Sequence, residues 1–178
     1  MKKNILFPIS TLVIASFFLF ITSTGLQGVA QAKAEETRQW HMETILPGAQ
    51  LFTEESYTGD DSNIKTVYKA ENGYVIETSV YGYVDEVQML IGVSKEGTVT
   101  GVVVTKLSET YGLGAKALTD HVFLSQFLNG SSAVEIGSDV DGITGATVTS
   151  KAVAKSINSA VAYVTGADIE TGATSWGG

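Results

Sequence analysis

Two turn-forming tripeptides, Glu71-Asn72-Gly73 and Lys95-Glu96-Gly97, each separate two stretches rich in apolar residues. Asn-Gly between alternating segments is a strong hairpin signal. The pattern predicts strands over Thr66–Ala70 and Tyr74–Tyr81, and a second hairpin over Val87–Ser94 and Val99–Thr105. Four strands with such tight turns imply an antiparallel sheet with one buried face.

Helical signals follow the strands. Thr119 or Asp120 can cap a short helix to Leu128, with Phe123, Leu124, Phe127 and Leu128 on one side and Asn129-Gly130 as its stop. A second helix is expected from about Thr149 to Val164, with Val153, Ile157, Ala160, Val161 and Val164 on one stripe. Upstream, Ala34–Ile45 reads as a polar helix halted by Leu46-Pro47-Gly48, and Ser56–Asn63 as a loop. Strands first and helices afterwards point to an α+β fold, with helices packed on one sheet face.

The N-terminus is of another kind. Lys2 and Lys3 precede an uncharged stretch, Asn4–Ala32, whose apolar heart is Ile5–Ile21. Roughly 20 such residues cross a bilayer core, and the two lysines would hold the N-terminus on the cytoplasmic side. Ala30-Gln31-Ala32 and Ala32-Lys33-Ala34 equally resemble signal-peptide cleavage sites. Under both readings the rest of the chain is exported. The expected organisation is a membrane anchor or signal peptide over 1–32, one folded domain over 33–165, and a Gly/Thr/Ser-rich tail over 166–178.

Composition removes several classes of chemistry. The chain has no cysteine, so disulfides, iron–sulfur clusters and covalent haem are excluded. Two histidines, His41 and His121, are too few for a His-rich metal site, and no metal is expected. The net charge of −8 argues against a nucleic-acid partner. No P-loop, nicotinamide fingerprint, paired-carboxylate hydrolase site or Ser-His-Asp arrangement is evident. Redox work by this chain would require an organic cofactor.

One segment carries candidate chemistry: Asp141-Gly142-Ile143-Thr144-Gly145-Ala146-Thr147, at the mouth of the second helix. Gly145 and Ala146 allow another molecule close to the backbone. The first turn of a helix leaves N–H groups unpaired, and its dipole favours an anion, so a phosphate on or beside Thr147 would be stabilised there. Thr144, Thr149 and Ser150 add donors. Asp141 would repel a phosphate unless a cation lay between them, which suits a modification step better than a resting state. The plainer reading is that Thr147 or Thr149 is a routine N-cap.

The segment resembles the D-x-x-[ST]-G-A-[ST] flavinylation motif of the FMN-binding domain family. The resemblance implies an antiparallel-sheet FMN-binding domain with packed helices behind one N-terminal membrane helix. It implies covalent FMN on Thr147 through a phosphoester, with Thr144, Gly145 and Ala146 beside it. A flavin transferase would install it from FAD, reading Asp141 as part of its recognition signal. Ser108-Glu109-Thr110-Tyr111-Gly112-Leu113-Gly114-Ala115-Lys116 resembles the family's S-E-T-P-G-L-G loop, with Tyr111 where proline is usual. That adds Glu109, Thr110, Gly112, Leu113, Gly114 and Lys116 as FMN-binding candidates. Ile45-Leu46-Pro47-Gly48-Ala49 matches the segment after the family's membrane helix, while Tyr81-Gly82-Tyr83 matches its G-Y-G-G-P stretch poorly.

Within the family the likeness is to the G subunits of Rnf-type ion-translocating oxidoreductases, which are related to the C subunits of sodium-translocating NADH:quinone reductases. It implies an electron-transfer subunit, not an enzyme by itself, held in a membrane by a retained single-pass helix, with the FMN domain on the extracytoplasmic side. Its partners would be the other membrane subunits of a ferredoxin/NAD-linked complex. Two rival readings share the sequence: a free-standing exported flavinylated carrier for extracellular acceptors, and a domain that has lost flavin. Asp168-Ile169-Glu170-Thr171-Gly172-Ala173-Thr174 repeats the motif, making Thr174 either a second attachment residue or part of a coincidental tail.

Overall fold

The computed structural model describes residues 28–106 and 114–167. The chain divides into two compact units, Met1–Trp40 and His41–Gly178. Residues 28–45 are helical (α1), and those up to Trp40 fall in the first unit. There Glu35 and Arg38 pair one turn apart. Among the described residues no helix is long and apolar enough to cross a membrane. The apolar heart Ile5–Ile21, expected to be an anchor or signal, lies outside the described residues.

The second unit is built on a five-stranded antiparallel meander in the order β1-β2-β3-β4-β5. The strands are β1 Thr53–Glu55, β2 Ile64–Lys69, β3 Gly73–Tyr81, β4 Glu86–Ser94 and β5 Val99–Lys106. Both expected hairpins form. Ala70 N–H donates to Gly73 O at 2.9 Å across the Asn-Gly turn, and Gly97 takes φ +85° in the other. The first strand was not among the four expected. It is three residues long, without alternation, and exists by pairing with β2, where Lys69 also meets Glu55 at 3.5 Å.

Helices α2 (Gly114–Thr119), α3 (His121–Ser125) and α4 (Thr147–Thr165) complete the unit. Asp120 caps α3, its carboxylate accepting from Val122 N–H and Phe123 N–H at 2.9 and 3.1 Å. Beyond Ser125 the chain tightens into i→i+3 turns, and Asn129 stops it at φ +64°. Phe123 and Phe127 are buried edge to face, but Leu128 is exposed, because the tighter turn rotates it off their side.

The expectation of one buried face is corrected by the packing. Successive residues of the central strands point to opposite faces. Val67, Ile76 and Ile91 face α4, meeting Val153, Ile157, Ala160 and Val161. Their neighbours Tyr68, Val75 and Leu90 join a second cluster with Met42, Ile45, Leu46 and Ala49. The sheet is thus covered on both sides. Fully burying a Leu- or Ile-sized side chain contributes roughly 1.5–3 kcal/mol, so both layers matter to stability.

The second layer depends on a flat spot. Gly92 and Gly101 are cross-strand partners in β4 and β5. A Cβ on Gly101 would lie 2.6 Å from Ile45 Cα, and one on Gly92 would strike the Ile45 carbonyl oxygen. The missing side chains let the Ile45 backbone rest on the sheet, where Thr100 Oγ1 donates to its carbonyl at 2.5 Å. Nothing in the alternation of β4 and β5 announces that docking.

Candidate functional site

Residues 141–146 form a short loop between the α3 region and α4, and four contacts fix its path. Gln126 holds its start: Asp141 N–H donates to Gln126 Oε1 at 3.0 Å, and Gln126 Nε2 donates back to Asp141 O at 3.2 Å. Ile143 N–H donates to Ser150 Oγ at 3.1 Å, and Ser150 is fully buried within α4. Ala146 N–H closes on Ile143 O at 2.9 Å, with Gly145 at φ +79°. A tight turn with positive φ at its third position is the type II pattern, which selects glycine there.

Gly142 serves another end. A Cβ there would come 2.7 Å from Ile136 Cγ2 and crowd Ser150. Ile143 packs against the main core, so the loop turns one side chain inward. Asp141, Thr144, Gly145 and Thr147 are exposed. The Asp141 backbone is clasped while its carboxylate receives no hydrogen bond or ion pair from the described residues.

Helix α4 starts two residues earlier than its apolar stripe suggests. Its N-cap is Ala146, which offers no side-chain hydrogen bond, and Thr147 is the first helical residue. The routine N-cap role for Thr147 or Thr149 is therefore absent. Thr149 instead lies inside the first turn and is buried. The first turn carries no acidic side chain, so nothing on the helix itself opposes an anion at this end.

A cavity of about 480 Å³ opens at this helix start, within the range of small-molecule sites. Its described lining is Tyr83, Gly114 and the run Gly145–Thr149. The folding thus brings together Gly114, Gly145, Ala146 and Thr147 from the expected set. Thr144 sits on the adjoining turn outside that lining, and Asp141 lies further back along the loop. Glu109, Thr110, Tyr111, Gly112, Leu113 and Thr174 lie outside the described residues. Lys116 belongs to α2, with its side chain outside what is described.

Two contributors escaped the sequence reading. Tyr83 reaches the cavity from the β3–β4 turn, closed by Gly82 N–H on Asp85 O at 2.9 Å. Asp85 also meets Lys106 at 3.1 Å, tying that turn to the end of β5. The signal available in the sequence was the stretch Tyr81-Gly82-Tyr83, whose poor match to the family's G-Y-G-G-P pattern kept it out of the expected set. Gln126 gave none, since its role exists only because the fold brings it beside Asp141.

An FMN group fits these residues. The cavity has the required size, an exposed hydroxyl stands at its wall, the helix start favours a phosphate, and glycine and aromatic surfaces border it.

Comparison with known proteins agrees. The FMN-binding domain family matches residues 82–162. The G subunit of the ion-translocating oxidoreductase complex of Methanosarcina acetivorans is 36% identical, over 92% of this chain and 96% of its own length. The G subunit of the proton-translocating ferredoxin:NAD(+) oxidoreductase complex of Clostridium ljungdahlii is 31% identical, over 88% of this chain and 85% of its own. Among solved structures, the C subunit of the Na(+)-translocating NADH-quinone reductase of Parabacteroides distasonis is 21% identical, covering 63% of this chain and 64% of its own at a TM-score of 0.46. The chain therefore belongs, through its FMN-binding domain, to the family of G subunits of ion-translocating oxidoreductase complexes.

Proposed function

We propose that this chain is an electron-transfer subunit that holds FMN covalently on Thr147, within a membrane-bound, ferredoxin/NAD-linked complex of the Rnf type. The observation that carries the reading is the exposed Thr147 residue, first in α4, on the wall of a 480 Å³ cavity with no side chain capping the helix. Its hydroxyl would hold the phosphate by a phosphoester, beside the first-turn N–H groups of α4. Gly145 and Ala146 leave room for that phosphate, and Gly114 and Tyr83 border the space for the ring. When bound, FMN supplies one- and two-electron transfer, and the protein supplies attachment, orientation and tuning of potential.

The exposed carboxylate of Asp141 suits recognition by a flavin transferase that uses FAD as donor. Glu109, Thr110, Gly112, Leu113 and Lys116 belong to the proposed site on their motif alone. The stretch before Lys33 would anchor the chain by a single pass, with the FMN domain extracytoplasmic and the other subunits of the complex as partners. The chain is an electron relay and not an enzyme by itself.

The test is Thr147→Val. Co-expressed with a flavin transferase, the full chain should fluoresce in a denaturing gel, and the peptide spanning Thr147 should gain the mass of FMN. The variant should lose that modified peptide. An unmodified Thr147 peptide in the parent chain overturns the assignment.

A further inference from the structure

Tyr83 and Val84 form the tip of the β3–β4 hairpin, between Gly82 and Asp85, whose N–H and C=O meet at 2.9 Å. Both tip residues are well exposed, Tyr83 at 72% and Val84 at 58%. An exposed hairpin tip is ordinarily a mobile place. This one is held from three directions through a single residue. The Asp85 carbonyl accepts from Gly82 N–H, its Oδ1 accepts from Glu86 N–H at 2.8 Å, and its Oδ2 meets Lys106 Nζ at 3.1 Å. Lys106 stands outside the hairpin. It ends β5 and pairs in register with Gln88 of β4, so its side chain ties the tip to a third strand.

That tie contributes little to the fold itself. The two side chains are 43% and 42% exposed. Screening by water and the entropy of two long side chains weaken such a pair. What it restricts is where the tip lies. Tyr83 lines the cavity that Gly114 and Thr147 also border, so the ion pair acts on the part of the hairpin that reaches the flavin space.

We propose that Asp85 and Lys106 are positioning residues for the flavin, holding the Tyr83 ring against the isoalloxazine and so lowering its reduction potential. The inference rests on the reading of Thr147 as the residue that bears FMN. An aromatic face carries the negative part of the ring quadrupole. Laid on a flavin, it opposes the electron density gained on reduction, so Tyr83 favours the oxidised form. A phenol in that contact also quenches emission: it passes an electron to the excited flavin and takes it back, with no net oxidation.

Positioning and bare charge predict different signs. Removing the Asp85 anion raises the potential under both. Removing the Lys106 cation lowers it if the ammonium acts through its charge alone. It raises it if the ammonium acts by keeping Tyr83 in place. The positioning effect dominates, because Asp85 at 3.1 Å offsets the ammonium charge and water screens the remainder.

The experiment uses the full chain co-expressed with a flavin transferase, with FMN on Thr147 verified by peptide mass. Redox titration gives the midpoint potential, and native emission is normalised to emission after denaturation. The variants are Tyr83→Leu, Asp85→Asn, Lys106→Met, Lys106→Arg and Lys106→Met combined with Tyr83→Leu. Asparagine keeps an oxygen for Glu86 N–H, so Asp85→Asn removes the ion pair and spares the turn. Tyr83→Leu should raise the potential and increase native emission severalfold. Asp85→Asn and Lys106→Met should move both in the same direction, and Lys106→Arg should keep the parent values. Without Tyr83, Lys106→Met should add no further rise. A potential that falls or stays unchanged in Lys106→Met, or rises equally with and without Tyr83, overturns the positioning role. Unchanged values in Tyr83→Leu overturn the inference and leave Thr147 standing. A parent chain without FMN on Thr147 overturns both.

Discussion

The side-chain amide of Gln126 closes on the backbone of Asp141 at both ends, accepting from its N–H at 3.0 Å and donating to its C=O at 3.2 Å. An amide is suited to this, since its oxygen and nitrogen can answer a peptide's donor and acceptor together. The pair pins the start of the loop while leaving the Asp141 carboxylate outward.

Gln126→Ala should therefore act locally. Both hydrogen bonds are exposed, so water can replace them, and the loss of global stability should stay near 1 kcal/mol. The Asp141 amide should lose protection in hydrogen exchange, while amides in the middle of β3 and β4 keep theirs. Equal loss throughout the sheet would contradict the local role.

Gly145→Ala should cost about 1–2 kcal/mol, because an L-residue at φ +79° takes on the strain of the left-handed region. Urea denaturation checks the stability change. Flavin incorporation at Thr147 should fall as well, because the turn sets the path of the chain into the first residue of α4.

Gly101→Ala tests the second layer of the core. Its Cβ would fall 2.6 Å from Ile45 Cα, a backbone atom that cannot swing aside. Overpacking of this kind typically costs about 1–3 kcal/mol. The denaturation midpoint should drop, as followed by far-UV circular dichroism. A neutral effect would show that the segment Met42–Ala49 is only loosely seated on the sheet.

Tyr163 predicts an alkaline weakness. Burial raises its hydroxyl above the ordinary tyrosine value, and the charge of Glu55 adds to the effect. Its ring also meets Tyr57 and Tyr74 edge to face at 5.9 and 5.8 Å. Because the folded value is the higher one, the contribution to stability is complete below about pH 10 and is lost as pH rises through the raised folded value. Urea midpoints measured from about pH 8 to pH 11 should fall more steeply for the parent chain than for Tyr163→Phe.

Much of the frame was legible along the chain, for local reasons. The hairpin around Asn72-Gly73, the cap at Asp120, the stop at Asn129 and the buried stripe Val153–Ile157–Ala160–Val161 each depend on neighbours within a few positions. Local preference decides such features before any tertiary contact forms. The start of α4 was read two residues late because Thr147 and Val148 fall outside the apolar stripe used to locate it. Strand β1 was missed because its three residues owe their conformation to β2.

The amino-acid order alone determined the two antiparallel hairpins, the long final helix and a small, hydroxyl-bearing segment at its mouth. These follow from turn chemistry and periodicity. Only the tertiary structure decided that the sheet is covered on both faces, that Gln126 meets Asp141, and that Tyr83, Gly114 and Thr147 share one cavity. Such contacts join residues far apart in the chain. Their energies depend on a closeness that local pattern does not encode, and so they appear only once the layers have packed.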